Sequence, residues 1–249
     1  MNINKNRLVT LFSLLIFFFV WQVVSIKFPS SLLPPPLLVI YATWETLWSP
    51  DFFIHALFTL KNTLVGFSVA FLITNIIALT SRASKYIESF WQPFIFLGLS
   101  IPSLVVTFIV ILIFGSKGPA GIVIISLILI PEMFQILSPA YKTLSVDLKE
   151  MATIYRLSKI QYFKHIFLPQ IIPFLFSATR MGISVGWKLA ILIEVFTISR
   201  YGVGYKLYYY FNLFSIKRVF AWLMSFVAIM GFIEYGILRT LEKKLTPHQ

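Results

Sequence analysis

The sequence predicts an all-α polytopic membrane protein with about six transmembrane helices. Its 249 residues are 58% apolar and 12% charged, with a mean hydropathy of +0.86, whereas about a quarter of an ordinary soluble domain is charged. Uncharged runs long enough to cross roughly 30 Å of hydrocarbon, at about 20 residues each, use up most of the chain. The basic residues then collect on alternate sides of those runs. Together these observations exclude a water-soluble globule and leave one transmembrane domain, residues 1–249, with a single long polar stretch at 138–169.

The first span, residues 8–26, is uncharged and follows Lys5 and Arg7. Its flanks resemble a signal peptide, but it is too long and lacks a small-x-small cleavage site, which favours an uncleaved helix with its N-terminus inside. Pro34, Pro35 and Pro36 then forbid helix continuation. Tyr41, Trp44 and Trp48 follow at helical spacing and make one aromatic face. That face suits either a short helix on the outer membrane surface or packing against neighbouring spans.

A second span covers 57–80, with Lys61 near its outer end, where its long side chain can reach water. The third, 89–116, contains Pro93 and Pro102, which are read as kinks within one continuous helix. Gly115 to Pro119 makes a tight outer turn, and a fourth span covers 120–137. The polar stretch 138–169 alternates apolar and charged residues in a way that suits short helices. A fifth span, 171–198, carries Arg180, Lys188 and Glu194; an outer loop rich in tyrosine follows, and a sixth span covers 219–238.

With the N-terminus inside, twelve basic residues fall on the inner side and six on the outer, while Lys61, Arg180 and Lys188 lie within spans. This bias predicts an even number of spans with both termini cytoplasmic and the 138–169 stretch in the cytoplasm. It also accounts for the net charge of +12 without a nucleic-acid partner. There are no cysteines, which excludes disulfides and thiolate chemistry, and His55, His165 and His248 lack the spacing of a helical zinc site. No G-x-x-x-x-G-K-[ST] phosphate loop occurs anywhere in the chain, so it holds no means of hydrolysing ATP.

The polar stretch carries a spaced motif: Glu150-Met-Ala152, then Arg156, then Ile166-Phe-Leu168-Pro169. It resembles the loop signature of ATP-binding-cassette importer permeases, E-A-A, three residues, G, nine residues, I-x-L-P. Two positions depart from it, Met151 at the second position and Arg156 where glycine is usual. Glycine there permits a positive φ that arginine disfavours. Such a loop needs two short helices meeting at a corner that transmits motion from a cytoplasmic ATPase.

The resemblance covers roughly residues 30–245 and looks closest to the nitrate, sulfonate and taurine group, which also includes permeases for thiamine-precursor pyrimidines. It is carried by Leu33-Pro-Pro-Pro36, Thr59-Leu-Lys-Asn-Thr-Leu-Val-Gly66-Phe67, Ile101-Pro102, Phe114-Gly115, Arg180-Met-Gly182 through Glu194, and Gly202-Val-Gly204-Tyr205. The resemblance implies the type I importer permease fold in the cell membrane, with a second permease copy, two ATPase subunits that bind ATP and magnesium, and an extracytoplasmic solute-binding protein. It also implies that Glu150, Ala152, Arg156, Ile166, Leu168 and Pro169 meet the ATPase.

An ion-driven carrier would show internal repeats and acids near mid-membrane. A vitamin-binding subunit of an energy-coupling-factor transporter has no reason to carry the E-x-A to I-x-L-P loop.

Two further expectations concern solute. At 100° per residue, Arg180, Trp187, Lys188 and Glu194 fall within an arc of about 120° on one side of the fifth span, which suits a translocation pathway. The competing arrangement has Arg180 in inner water and Lys188 neutralising Glu194. Gly202, Gly204, Tyr205 and Tyr208 suit either a binding-protein contact or an aromatic belt at the membrane surface. Two basic residues against one acid suit an anion, while a heterocycle stays open.

Overall fold

The structure is a computed structural model, and it describes residues 3–115, 119–142, 151–197 and 199–245. Every regular element among the described residues is helical. Helix α1 runs Ile3–Ile26, α2 Pro36–Leu47, α3 Pro50–Ala83, α4 Lys85–Ser100, α5 Ser103–Phe114 and α6 Ala120–Lys142. A helical turn at 151–154 precedes α7, Lys159–Tyr162, which passes through a π-helical turn, Phe163–Phe167, into α8, Leu168–Phe196. Then come α9, Val203–Asn212, and α10, Ile216–Gly231, with a second π segment, Phe232–Leu238, leading into α11, Arg239–Leu245.

Among the described residues five helices are long and apolar enough to cross a membrane, six where the bent pair α4 and α5 counts as one span. That pair corrects the continuous third helix expected from the sequence, because the chain bends by 101° between its two arms. The helix ends at Ser100, and Ile101 is extended at φ −78° and ψ 125°, as a residue before proline prefers. Pro93, by contrast, stays inside α4.

The centre of the fold is α3 against α6 and α8. Lipid tails are as apolar as leucine, so helices in a membrane associate through close packing and interhelical hydrogen bonds. Accordingly, α3 turns Ala56, Thr59, Thr63, Gly66, Ala70, Thr74 and Ala78 inward at spacings of three, four and multiples of them. A methyl at Gly66 would meet Ile125 at 2.7 Å, which shows how close α3 and α6 lie. Ser126 donates to the Gly66 carbonyl at 3.0 Å, and the Tyr141 hydroxyl donates to Asn75 Oδ1 at 2.6 Å. Ile124, Leu129, Met133, Ala178, Ala190 and Ile193 fill the space between.

Helix α2 begins with Pro36 in its first turn, where a missing N–H costs nothing. It packs on α10 through Val39, Ala42 and Thr46, while Tyr41, Trp44 and Trp48 are exposed on the other side. The aromatic face is therefore left uncovered by the helices among the described residues. Helix α1 stands apart, with Ser25 buried and Trp21 meeting Phe220 at 5.7 Å.

Candidate functional site

Among the described residues, the corner after α6 and the junction of α3, α8 and α9 each bring chemistry-bearing residues together. At the corner, the turn at 151–154 closes with Leu157 N–H donating to the Ala152 carbonyl at 2.9 Å and Arg156 N–H to that of Thr153 at 3.1 Å. This paired arrangement is a Schellman cap, which puts its C′ residue in the left-handed region. That residue is Arg156, at φ 51°. The turn expected of glycine is thus retained with arginine in place. The next helix starts at once: Ser158 accepts from Gln161 N–H, and the Gln161 side chain accepts from Ser158 N–H, a reciprocal capping box.

Glu150 lies outside the described residues. Ala152 and Ile166 are buried, Leu168 is half-buried, and Pro169 and Arg156 are exposed. Within this chain the first two are thus packed into the corner, while Pro169 and Arg156 stay accessible. The most exposed apolar side chains of the corner are Ile154, Tyr155 and Ile160, between 73% and 79% exposed, which the motif did not single out. Beside them a groove of about 550 Å³ is lined by Ala152, Thr153, Arg156, Leu157, Lys159 and Tyr162. Left-handed backbone costs a non-glycine residue about 1–2 kcal/mol, part of which glycine would return as unfolded-chain entropy. Arg156→Gly should therefore stabilise the corner by up to about 1 kcal/mol, slowing hydrogen exchange at the Leu157 amide up to about fivefold.

The fifth-span charges do not converge. Arg180 pairs with Glu242 of α11. Trp187 packs its ring on Phe226 at 5.8 Å, and Lys188 is exposed with its ammonium 5.8 Å from the Trp187 ring. Glu194 is 3% exposed and faces α3. An arc of about 120° is wide enough to touch three surroundings, and here it does. The four residues expected on one pathway face therefore meet different surroundings within this chain, and no Lys188–Glu194 ion pair is present among the described residues.

Glu194 instead belongs to a buried polar seat under the start of α9. Its Oε2 accepts from Thr59 Oγ1 and from Gly204 N–H, both at 2.9 Å. Thr59 Oγ1 accepts from Val203 N–H at 2.8 Å, and His55 Nδ1 accepts from Gly202 N–H at 2.9 Å. An accepting Nδ1 leaves the ring proton on Nε2, which faces Asp51 Oδ1 at 3.3 Å. Lys206 of α9 closes the set on Asp51 Oδ2 at 2.6 Å, with its ammonium 5.5 Å from the Trp222 ring. A helix start leaves N–H groups without intrahelical partners, and side chains from α3 and α8 take three consecutive ones here.

Gly202 and Gly204 are buried in that seat, where their N–H groups meet His55 and Glu194. Gly202 has φ 118°, and a methyl on it would meet the Glu194 carboxyl at 2.3 Å. Tyr205 is half-buried and stacks on His55 at 5.7 Å; Tyr201, Tyr208 and Tyr209 are the exposed tyrosines of this segment.

Beside the seat opens a cavity of about 960 Å³, whose wall includes Lys61, Asn62, Glu194, Ser199 and Arg200. Neither Lys61 nor Arg200 has an acidic partner within ion-pair distance among the described residues. Sequence reasoning missed His55, Thr59, Asn62 and Arg200 and read Lys61 only as reaching for water. The available signal was the Thr59-Leu-Lys-Asn segment, which sits among the residues that carry the family resemblance.

Residues 64–246 match the family described as binding-protein-dependent transport system inner membrane component. The chain belongs to this family. The permease is 25% identical to the nitrate import permease NrtB of Synechocystis sp. over 92% of its own length and 85% of that protein's. It is 28% identical to the riboflavin transport permease RibX of Chloroflexus aurantiacus, covering 95% and 87% of the two chains. It is 24% identical to the putative aliphatic sulfonates transport permease SsuC of Bacillus subtilis, covering 91% and 82%. The permease is the membrane subunit of an ABC importer, working with ATPase and solute-binding partners, and is not itself an enzyme.

Proposed function

We propose that the permease imports a small anion, received from its solute-binding protein into the cavity beside α9. In this reading the ATPase subunits bind ATP and magnesium and grip the corner at 151–169, a second copy of the permease completes the pathway, and both termini are cytoplasmic. One observation carries the anion: Lys61 and Arg200 reach the cavity wall without acidic partners among the described residues, and the same wall includes Asn62. The Glu194 carboxyl on the same wall is held by Thr59 and Gly204 and forms no ion pair with either cation. Nitrate and sulfonate in the names of two relatives agree with that chemistry.

Uptake into ATP-loaded proteoliposomes tests the reading, with the binding protein outside and labelled nitrate, a short sulfonate, bicarbonate and riboflavin as probes. An anion should be taken up, and Lys61→Gln with Arg200→Gln should each cut that uptake about tenfold or more, the worth of a hydrogen bond to a charged group. Uptake of riboflavin alone, or anion uptake indifferent to both substitutions, would overturn it.

A further inference from the structure

We infer that the seat of α9 on His55, Thr59 and Glu194 is a latch, through which contact at the outer face of α9 is felt at the solute cavity. The inference rests on the reading above, in that a binding protein docks on the exposed side of α9. Its own ground is the placement of one helix between two surfaces. On its outer side α9 exposes Tyr208, Tyr209 and Phe211. On its inner side its first three N–H groups, from Gly202 to Gly204, end on side chains of α3 and α8.

Those side chains sit beside the solute. Glu194 lines the cavity as well as holding Gly204, and Ser199 and Arg200, just before the seat, line it too. A displacement of α9 therefore moves Arg200 and frees the Glu194 carboxylate in one step. Hydrogen bonds are also easier to break and remake than an interdigitated apolar contact, because each lost partner can be replaced by water entering from the cavity.

The hinge of the arrangement is the Thr59 hydroxyl. It accepts from Val203 N–H and lies 2.9 Å from Glu194 Oε2, so it joins α3, α8 and α9 through one atom. Thr59 is fully buried, and valine matches its shape without the hydroxyl. Such a change removes two latch contacts and adds no bulk. If the seat holds the resting state, its loss shifts the population toward the state that docking otherwise induces. Thr59 is thus a positioning residue that acts through Glu194 and α9, and touches no reacting atom.

The test measures ATP hydrolysis by the whole reconstituted transporter, with and without its loaded binding protein, for wild type, Thr59→Val and Thr59→Ser. The wild-type ratio tests the importer reading by itself. For the latch, Thr59→Val should raise the rate without binding protein about tenfold, the factor expected when a hydrogen-bonded pair is lost from one of two states. Binding protein should then add little, and Thr59→Ser should restore the wild-type ratio. A Thr59→Val transporter with the wild-type ratio overturns the latch. So does one that fails to insert while Thr59→Ser inserts, because the hydroxyl would then serve folding alone. A spin-label pair on Asn62→Cys and Tyr208→Cys gives a second reading, clean in a chain without cysteine. The latch requires Thr59→Val to broaden that distance distribution as binding protein does in the wild type, and an unchanged distribution counts against it.

Discussion

Gly204→Ala should abolish transport, with the permease itself destabilised by several kcal/mol. The added methyl would lie 2.3 Å from the Ile191 carbonyl oxygen and 2.7 Å from Glu194 Cβ. Neither neighbour can withdraw, since both belong to the body of α8, so α9 must lift away. Overpacking of this kind costs about 1–3 kcal/mol. Lifting α9 also takes Gly204 N–H from Glu194 Oε2, while Glu194 Oε1 already has no hydrogen-bond partner among the described residues. A buried carboxylate losing a donor adds about 1–3 kcal/mol, and the two costs together are a large part of a total stability of about 5–15 kcal/mol. The check is thermal unfolding of the purified permease together with ATP-driven uptake, against Gly231→Ala as a control. A methyl at Gly231 meets nothing within 4 Å, and there alanine should be neutral or stabilising by up to about 1 kcal/mol. Equal behaviour of the two variants would contradict the packing argument.

What could be read from the sequence differs between spans and site for a physical reason. A span is a local property: about 20 uncharged residues either cross hydrocarbon or do not, and the runs at 8–26, 57–80, 120–137 and 219–238 fall within helices, while of the run at 171–198 the helix covers the part up to Phe196. The outcome at a proline is set by tertiary context. Pro93 and Pro102 are equivalent in the sequence, yet only the second follows an extended residue and turns the chain. Glu194 stood out as an acid in an apolar run, but its partners lie 135 residues back at Thr59 and ten forward at Gly204. Helical arithmetic within one span gives the direction of a side chain and not what waits there. The same limit separated Arg180, Lys188 and Glu194, which share an arc but face α11, the exterior and α3. At the corner the spacing of Arg156 located the left-handed residue correctly, because a Schellman cap is a local structure. It gave no hint that Ala152 and Ile166 would turn inward, since burial depends on what packs above them.

That inward turn leads to the second large effect, which concerns the ATPase contact proposed for the corner. Ile154→Asp combined with Ile160→Asp should release the ATPase subunits from membranes that hold normal amounts of permease. Both side chains project from the corner, at 78% and 79% exposure, so neither supports the fold. Burying an isoleucine fully against a partner contributes about 1.5–3 kcal/mol. An aspartate in its place forfeits that contribution and adds the cost of a carboxylate taken from water without a partner. Two such positions weaken the contact by at least about 4 kcal/mol, or roughly a thousandfold in affinity. Ala152→Asp would also disturb assembly, but by unpacking the corner, since Ala152 is buried. The two mechanisms separate on the permease alone: the double variant should keep the wild-type unfolding temperature and Ala152→Asp should lower it. Sedimentation of membranes followed by measurement of the ATPase in pellet and supernatant reads the contact directly. Retention of the ATPase by the double variant would move the contact away from this ridge, to the groove beside it or to the segment that includes Glu150.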